Sequence, residues 1–397
     1  KAGVIVGDGL CSRIENCHVT NAVVTVTPLN KDDGNQAGGI VGYLSGETEA
    51  YVKGCSVTDA VITAYRDVAG IAGTANQTAV ITGNRLVNVT VIADHTAEYT
   101  AKKAVNAGDV VGRVSTKATI TENEVDEATS VTVKVNTAES LQRALDTEFA
   151  GITNILFTEN ITGDVTVLQK EGVNLVINGD EKKFDGVITV NGNARAEGEE
   201  TLTFKNINFE TEGEDFTFIT APSKIDNKYN YSHNVTIEGC TFTGNQTVGS
   251  ANLTGTYNFV MKGCQATNMH SLLQIQSCDN NVTIENVKTV NCKSGISLGN
   301  VANGSIKNAE ISAAGYGLRL DGAKERTVSV TVENSSIKAF IPVSVRKLNN
   351  AECNVEIEFI GENTVEGLVY DVAFCSNEYE NGVDPLAPVG TYSLKGI

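Results

Sequence analysis

The chain has 397 residues, 41% of them hydrophobic, which is enough to bury a large core in one long repetitive domain or in two or three domains. The formal net charge is −18 and no basic run breaks the acidic background, so the sequence disfavours nucleic acid and anionic membranes as partners. No stretch approaches the ~20 apolar residues of a membrane-spanning helix, so no membrane insertion is predicted. Aromatic residues make up only 6%, and Val, Ile, Thr and Asn recur, which favours strands around a thin core of small branched side chains.

The N-terminal third contains four glycine-rich segments at steps of 35, 31 and 39 residues. They read Gly3-Val-Ile-Val-Gly, Gly38-Gly-Ile-Val-Gly, Ala69-Gly-Ile-Ala-Gly and Gly108-Asp-Val-Val-Gly. Each segment is followed by two strand-like runs around a turn, as in Arg13-Ile-Glu-Asn-Cys-His-Val and Tyr51-Val-Lys-Gly-Cys-Ser-Val. The glycines are expected where the chain bends tightly or where adjacent coils approach closely.

This pattern resembles the GLUG motif of bacterial surface proteins, and the copy at 38–64 matches it best. The fourth copy departs from the motif because Asp109 stands where the second glycine is expected. The resemblance implies an adhesion-like role within a large secreted protein. We therefore interpret residues 1–134 as a GLUG-like β-repeat domain.

One amphipathic helix is predicted between the two repeat regions. Thr137 is a candidate N-cap, Glu139 suits the first turn, and Gly151 is a candidate stop. The apolar face at helical spacing consists of Leu141, Ala144, Leu145 and Phe149. A helix in front of a β-repeat is expected to cap its exposed end, which predicts a domain boundary near residue 135 and a second domain at 135–397.

The C-terminal half repeats a four-residue pattern at steps of 33, 24, 23, 22 and 26 residues. Each copy reads apolar, charged, Asn or Gly, then small or apolar, and the third residue is expected at a bend in the left-handed backbone region. The fourth residues should stack as one inward ladder: Ile207, Cys240, Cys264, Val287, Ala309 and Ser335. A second apolar strand follows in each unit, as in Leu272-Leu-Gln-Ile, Gly295-Ile-Ser-Leu, Gly317-Leu-Arg-Leu and Pro342-Val-Ser-Val.

A unit of about 23 residues is too short for a strand–helix–strand crossover but suits a coil of three short strands and three bends. Residues 152–370 resemble the right-handed parallel β-helix family, so we expect an all-β solenoid of that kind with one short capping helix. The final segment, 375–397, breaks the repeat and contains Pro385 and Pro388. This segment is a candidate cover for the other end.

Nine cysteines are present without any Cys-x-x-Cys spacing, which speaks against zinc and redox motifs. Free buried thiols are the favoured interpretation, and a disulfide such as Cys278 with Cys292 stays open. The four histidines, His18, His95, His233 and His270, have no metal-ligand spacing. We predict no metal and no cofactor.

Many β-helices are polysaccharide lyases or hydrolases, which need carboxylates or basic residues at equivalent positions of successive coils. The best candidates are Arg319 and Asp321, with Lys324, Glu325 and Arg326 close in sequence. No carboxylate repeats there, so we favour a solvated outer face and predict no catalytic residue.

The 33-residue step carries about ten extra residues, and loops inserted into solenoids gather on one side and often bind ligands. Tyr229 and Tyr231 are candidates to stack on a sugar ring, and His233, Asp226 and Asn227 are candidate hydrogen-bonding partners. An ordinary surface loop whose tyrosines cover the core is the alternative.

These observations favour a non-enzymatic extracellular module, an adhesin-like or scaffold segment of a larger bacterial surface protein, secreted and anchored to the outer membrane through a part of the protein upstream. The chain opens inside a repeat, so we expect a processed or trimmed segment. The alternative is a carbohydrate-binding or divergent polysaccharide-degrading β-helix, and a structural spacer is the third reading. The partners expected are extracellular glycans or host and matrix proteins.

Overall fold

A computed structural model describes residues 1–27, 35–46, 50–96, 106–146, 153–192, 200–225, 228–322, 326–347, 354–368, 371–375 and 392–396. The protein is mostly β, and its long parallel sheets are those of a β-solenoid. The chain forms two compact units: unit 1 comprises 1–160 and 173–178, and unit 2 comprises 161–172 and 179–397. The boundary predicted near residue 135 rests on a change of repeat type, which this division by compactness does not test.

Unit 1 winds through four coils, each with a strand in up to four parallel stacks. Coil 1 contains β1 (Ala2–Gly3), β2 (Val6–Leu10), β3 (Arg13–Glu15), β4 (His18–Thr20) and β5 (Val23–Thr25). Coil 2 contains β6 (Gln36–Gly38), β7 (Val41–Gly46), β8 (Tyr51–Lys53) and β9 (Ser56–Ala64). Coil 3 contains β10 (Asp67–Ala69), β11 (Ala72–Gln77), β12 (Val80–Thr82) and β13 (Arg85–Asp94). Coil 4 contains β14 (Asn106–Gly108), β15 (Val111–Val114), β16 (Thr119–Thr121), β17 (Glu124–Val125) and β18 (Ser130–Val135).

The predicted N-terminal repeat matches the register of these coils. Gly3 pairs with Gly38, Gly38 with Ala69, and Ala69 with Gly108, all in parallel strands. The predicted bends take left-handed backbone angles at Asn16, Gly54, Gly83 and Glu122. Asp109 follows β14, which is the last strand of its stack among the described residues. In the second copy a side chain on Gly39 would instead clash with the Gly70 carbonyl of the next coil.

The glycines of this motif let neighbouring coils approach, and Gly73 provides a test. A Cβ at Gly73 would lie 2.6 Å from the Gly42 carbonyl oxygen and 2.8 Å from the backbone of Ala37. These contacts are backbone atoms that cannot rotate away, so Gly73→Ala is expected to lower the free energy of unfolding by about 1–3 kcal/mol. Gly7→Ala is the matched control, since its nearest neighbour, the Lys1 carbonyl, lies 3.4 Å away. Urea denaturation of both variants measures the difference, and equal stabilities would contradict tight coil packing.

The only helix in the described ranges is α1 (Ala138–Asp146), which belongs to unit 1 and contacts β18. The predicted N-cap is confirmed, because the Ser140 amide donates to the Thr137 Oγ1 at 3.1 Å. Ser140 returns the contact, since its hydroxyl accepts from the Thr137 amide. Leu141, Ala144 and Leu145 are buried as predicted, and Phe149 and Gly151 lie outside the described residues. No helix among the described residues is both long enough and apolar enough to cross a bilayer.

After the helix, the chain alternates between the two units. The strands here are β19 (Asn154–Phe157) of unit 1, β20 (Ile161–Thr162) and β21 (Val165–Leu168) of unit 2, and β22 (Leu175–Asn178), again of unit 1. The rest of unit 2 begins with β23 (Lys183–Asp185), β24 (Ile188–Asn191), β25 (Thr201–Lys205), β26 (Asn208–Glu210), β27 (Thr217–Ala221), β28 (Lys224–Ile225) and β29 (Lys228–Tyr229). It continues with β30 (Ser232–Glu238), β31 (Thr241–Thr243), β32 (Gly249–Leu253), β33 (Thr256–Lys262), β34 (Gln265–Thr267), β35 (Ser271–Ile275), β36 (Cys278–Glu285), β37 (Lys288–Val290) and β38 (Ile296–Gly299). It ends with β39 (Val301–Lys307), β40 (Glu310–Gly322), β41 (Thr327–Glu333), β42 (Ser336–Lys347), β43 (Asn354–Ile360), β44 (Thr364–Gly367), β45 (Val372–Cys375) and β46 (Tyr392–Lys395).

The coils of unit 2 stack in the register that the repeat predicts. The first strands pair in parallel so that these residues stand side by side: Phe204, Ile237, Met261, Ile284, Ile306 and Val332. The predicted inward ladder is buried along its whole length, from Ile207 to Ser335. Every third-position Asn or Gly of the repeat, from Asn206 to Asn334, has a positive φ between 49° and 62°.

Asparagine ladders join neighbouring coils, as expected for Asn at bends. The Asn308 amide nitrogen donates to the Asn286 Oδ1 at 3.2 Å, and Asn291 donates to Asn268 at 2.6 Å. Each amide thereby satisfies a polar group at a bend, where the sheet hydrogen bonds are interrupted.

The core of unit 2 differs from the expected filling of small branched side chains. Phe184, Phe209 and Phe242 occupy one register position of successive coils, and the last two rings stack with centroids 4.9 Å apart. These rings are fully buried, together with Phe204, Phe218 and Phe259. A low overall aromatic content therefore conceals a concentration of Phe inside a few coils.

Seven thiols are free: those of Cys11, Cys17, Cys55, Cys240, Cys264, Cys278 and Cys292. Cys278 and Cys292, considered above as a disulfide, are both buried and donate to the carbonyls of different residues, Tyr257 and Ala266. Burial raises the pKa of the Cys278 thiol to about 11, which keeps it protonated and poorly nucleophilic.

Candidate functional site

The third strands of five successive coils in unit 2 each place a partly exposed polar side chain at one register position, and these side chains form a row. The parallel register aligns Thr220, Asn252, Gln274, Ser297 and Arg319, and the next residue in this register, Ser344, is buried. Their strand neighbours, such as Leu273 and Ile275, are buried because side chains of a strand alternate between its two faces. Parallel strands lie about 4.8 Å apart, so the row offers one polar group per coil at a regular spacing.

A groove of about 490 Å³ follows this row and includes the bends that precede the third strands. Its strand residues are Thr217, Gly249, Asn252, Ser271 and Gln274. Its bend residues are Asp215, Phe216, Gln246, Thr247, His270 and Lys293.

A smaller pocket of about 40 Å³ continues the groove and shares His270, Ser271 and Gln274 with it. Beyond these three residues it is lined by Ser294, Gly295, Ile296, Ser297, Tyr316 and Arg319. The lining is thus dominated by amides, hydroxyls and cations, with two aromatic rings.

Hydrogen bonds between coils fix the bends that form the groove wall. The Thr247 hydroxyl accepts from the Asp215 amide at 3.1 Å and donates to the Asn245 side chain. The Gln246 side chain donates to the Asn291 carbonyl at 2.9 Å. The wall therefore does not depend on a ligand for its shape.

Arg319 and Asp321 lie close together, as their sequence spacing predicts, but they take different positions. Arg319 lines the small pocket, whereas Asp321 is absent from the described lining of either cavity. Arg346 donates to both oxygens of Asp321, through its Nε at 2.9 Å and an Nη at 3.4 Å, and an Nη of Arg319 lies 3.3 Å from the same carboxylate. Asp321 thus positions Arg319.

Two polar atoms of the lining are buried and have no hydrogen-bond partner within the protein. They are the Nε of Arg319, a donor, and the Oδ1 of Asn252, an acceptor. Buried groups of this kind are normally paired, and leaving one unpaired costs about 1–3 kcal/mol.

His270 sits where the groove and the small pocket meet. Burial, together with the charges of Lys293 and Arg319, lowers its pKa below the ordinary value, so the ring is neutral at neutral pH. The positive charge at this end of the groove therefore comes from Lys293 and Arg319.

The insertion predicted between two coils forms a small antiparallel hairpin of β28 and β29. Tyr229 ends β29 and His233 lies in β30, and the side chains of both are outside the described set, as are Asp226 and Asn227. The Tyr231 ring packs against Gly255 of the neighbouring coil, where a Cβ would come within 2.6 Å of it. None of the three residues Tyr229, Tyr231 and His233 is in the described lining of the groove or the small pocket.

The sequence interpretation missed His270, Lys293, Asn252 and Gln274. A signal for Gln274 was present, because the aligned third strands place Gln, Ser, Arg and Ser at one position. His270 and Lys293 lie in bends of unequal length, where no repeat marks them.

The described residues contain no group of three or more His, Cys, Asp or Glu that could hold a metal ion.

Compared with protein-family models, with curated proteins and with solved structures, the chain matches none of them.

Proposed function

We propose that this chain is a non-catalytic, extracellular, adhesin-like module whose groove in unit 2 binds a polysaccharide strand. The observation that carries the proposal is the groove itself, in which planar amides, hydroxyls and two aromatic rings follow a row with one polar side chain per coil. A repeating ligand fits a repeating row, since each coil then meets an equivalent part of the next sugar. Amide and hydroxyl groups offer both donors and acceptors, as sugar hydroxyls require.

The proposed solenoid is a right-handed β-helix, because parallel strands joined by crossovers in one sheet are right-handed in almost all proteins. The N-terminal coils are proposed to be GLUG-type repeats, supported by glycines whose Cβ positions would collide with the neighbouring coil. A surface location fits the acidic charge and the two repeat types.

The absence of catalysis is proposed on the basis of the carboxylates. Glycoside hydrolysis uses two carboxylates about 5–10 Å apart across the scissile bond. Asp215 is the sole carboxylate in the described lining of the groove and the small pocket. Asp321 is engaged by two guanidinium groups and is buried, so it is poorly placed to reach a substrate.

Cleavage of the bound polysaccharide is the second candidate function, and His270 is the observation that favours it. A neutral imidazole beside two cations can accept a proton from a substrate whose developing negative charge those cations stabilise. Incubation with acidic and neutral polysaccharides, followed by ultraviolet absorbance and reducing-end assays, separates the candidates. Turnover that disappears in His270→Gln would establish an enzyme and overturn the non-catalytic proposal.

Glycan-array binding followed by calorimetry on the best ligand tests the binding proposal. Gln274→Ala removes the amide at the centre of the row and is expected to weaken binding about ten-fold, the loss of one or two hydrogen bonds. Thr236→Ala, in the first-strand sheet outside the groove, is the matched control and should bind like the unaltered protein. Saturable binding that Gln274→Ala leaves unchanged would place the site elsewhere, with Tyr229→Ala and Tyr231→Ala as the next variants to test.

A further inference from the structure

The two ends of the groove differ in charge and in hydrogen-bonding sense. The carboxylate of Asp215 provides an acceptor on one side. The side chains of Lys293 and Arg319 provide positive charge on the other. A ligand that matches this arrangement donates hydroxyl hydrogens at the first end and presents a negative group at the second.

The cationic end stands out against the charge of the whole chain, which is −18. The described lining contains two cations, Lys293 and Arg319, and one carboxylate, Asp215. Asp215 lies at the bend before β27 and not in the small pocket. An acidic protein repels anions in general, so a local positive pocket selects among anions by contact rather than by long-range attraction.

The side chain of Arg319 is fixed in position before any ligand binds. Its side chain is only 22% exposed and is positioned by Asp321, whose charge is also shared with Arg346. A fixed guanidinium loses little side-chain entropy on binding and can hydrogen-bond a planar anion in a defined orientation.

The small pocket sets the size of the anionic group. Its volume of about 40 Å³ corresponds to about three water-sized positions, given roughly 10–15 Å³ for each. Three positions suit the three heavy atoms of a carboxylate and are too few for a sugar ring. The ring would lie in the larger groove, against Gln274 and Ser271.

Resting on the proposed function, we infer that the groove selects acidic polysaccharides and that a hexuronate carboxylate enters the pocket formed by Arg319, Tyr316 and Ser297 beside Lys293. The neighbouring sugars lie over Gln274 and Asn252, where the lining is uncharged, so neutral sugars are accepted there. The site is therefore a carboxylate subsite at one end of a mostly neutral groove.

Isothermal calorimetry with a matched pair of ligands tests this inference. The pair is an oligohexuronide and the same oligosaccharide after reduction of its carboxyl groups to hydroxymethyl groups. The unaltered protein is expected to bind the acidic oligomer about ten-fold more tightly or better, the value of one charge-assisted hydrogen bond. Lys293→Gln should bring the two affinities close together, and Arg319→Gln, checked for folding by circular dichroism, should do the same.

Lys307→Gln is the matched control, because it removes the same charge from the first-strand sheet outside the groove and should keep the preference. Equal binding of both oligomers by the unaltered protein would overturn the carboxylate subsite and leave the binding function standing. Preference for a sulfated oligosaccharide over the hexuronide would overturn the assignment of a carboxylate. Binding of none of these ligands would contradict both the inference and the proposed function.

Discussion

Replacing Asp321 with Ala is expected to lower the free energy of unfolding of the surrounding coils by about 3–5 kcal/mol, the range seen when one partner of a buried ion pair is removed. The Asp321 side chain is 8% exposed and that of Arg346 is 10% exposed, so water cannot replace the missing carboxylate. The variant would remove the carboxylate that two guanidinium groups on adjacent strands, β40 and β42, share.

Hydrogen exchange of the β40 and β42 amides, together with urea denaturation, measures this loss in the affected coils. Asp279→Ala is the matched control, because its ion pair with Arg326 at 3.3 Å is about 30% exposed and should contribute at most about 1 kcal/mol. The double variant Asp321→Ala, Arg346→Met should lose less than the sum of the single variants, since each single change already breaks the shared contact. The triad of Asp321, Arg319 and Arg346 would have to be solvated if Asp321→Ala lost no more free energy of unfolding than Asp279→Ala.

The same variant bears on binding, because Asp321 positions Arg319. A stability loss without a change in selectivity between acidic and neutral oligosaccharides would mean that Arg319 keeps its place without Asp321. Loss of selectivity in the folded variant would assign Asp321 a positioning role. The two measurements therefore separate the structural contribution of the triad from its contribution to the site.

The stacking register could be predicted because the determinants of each coil are local and repeat in every coil. Ile284 and Ile306 stand in equivalent tetrapeptides, and Asn286 and Asn308 supply the left-handed bend two residues later. An aligned bend leaves few choices for the parallel pairing of the next strand. The N-terminal coils follow the same logic, with glycine in place of a side chain where coils touch.

The phenylalanine stack could not be predicted in this way. Phe184, Phe209 and Phe242 are separated by 25 and 33 residues, and bends of different length bring them to one register position. Low aromatic content suggested a core without large rings, but composition says nothing about how the rings are distributed among coils.

The groove was harder to predict than the phenylalanine stack, because its residues share a register position but not a chemical type. Asn252, Gln274 and Arg319 occupy one outward row, but none of them is a carboxylate, so a pattern of repeated carboxylates does not indicate them. His270 and Lys293 come from bends, whose conformation depends on the packing of neighbouring coils. Arg319 and Asp321 could be predicted together because they are close in sequence. Only the packing shows that Asp321 holds Arg319 in position.

Unit 1 contains a buried histidine whose protonation is expected to destabilise it in acid. His95 is 1% exposed, and its ring stacks on Tyr65 with centroids 5.6 Å apart. Burial lowers the pKa of His95 from 6.5 to about 4. The positive charge of Arg143 on α1 is the second cause of this shift. Asp94 opposes this shift only weakly.

The sign follows from proton uptake. Above pH 6.5 the imidazole is neutral in both the folded and the unfolded chain, so the contribution to stability is constant. Between pH 6.5 and about 4 the unfolded chain binds a proton that the folded chain does not, so stability falls as the pH falls. The expected loss from this one group is about 2–3 kcal/mol at pH 4.5.

His95→Phe keeps an aromatic ring against Tyr65 and removes the titration, so it should lose about 2–3 kcal/mol less than the unaltered protein between pH 7 and pH 4.5. His18→Gln is the matched control, because it also replaces one histidine of unit 1 but at an exposed position. The comparison uses urea denaturation at both pH values, with hydrogen exchange of β13 and α1 to localise the effect. Parallel losses in all three proteins would mean that His95 is protonated in the folded state, and hence that water reaches its ring.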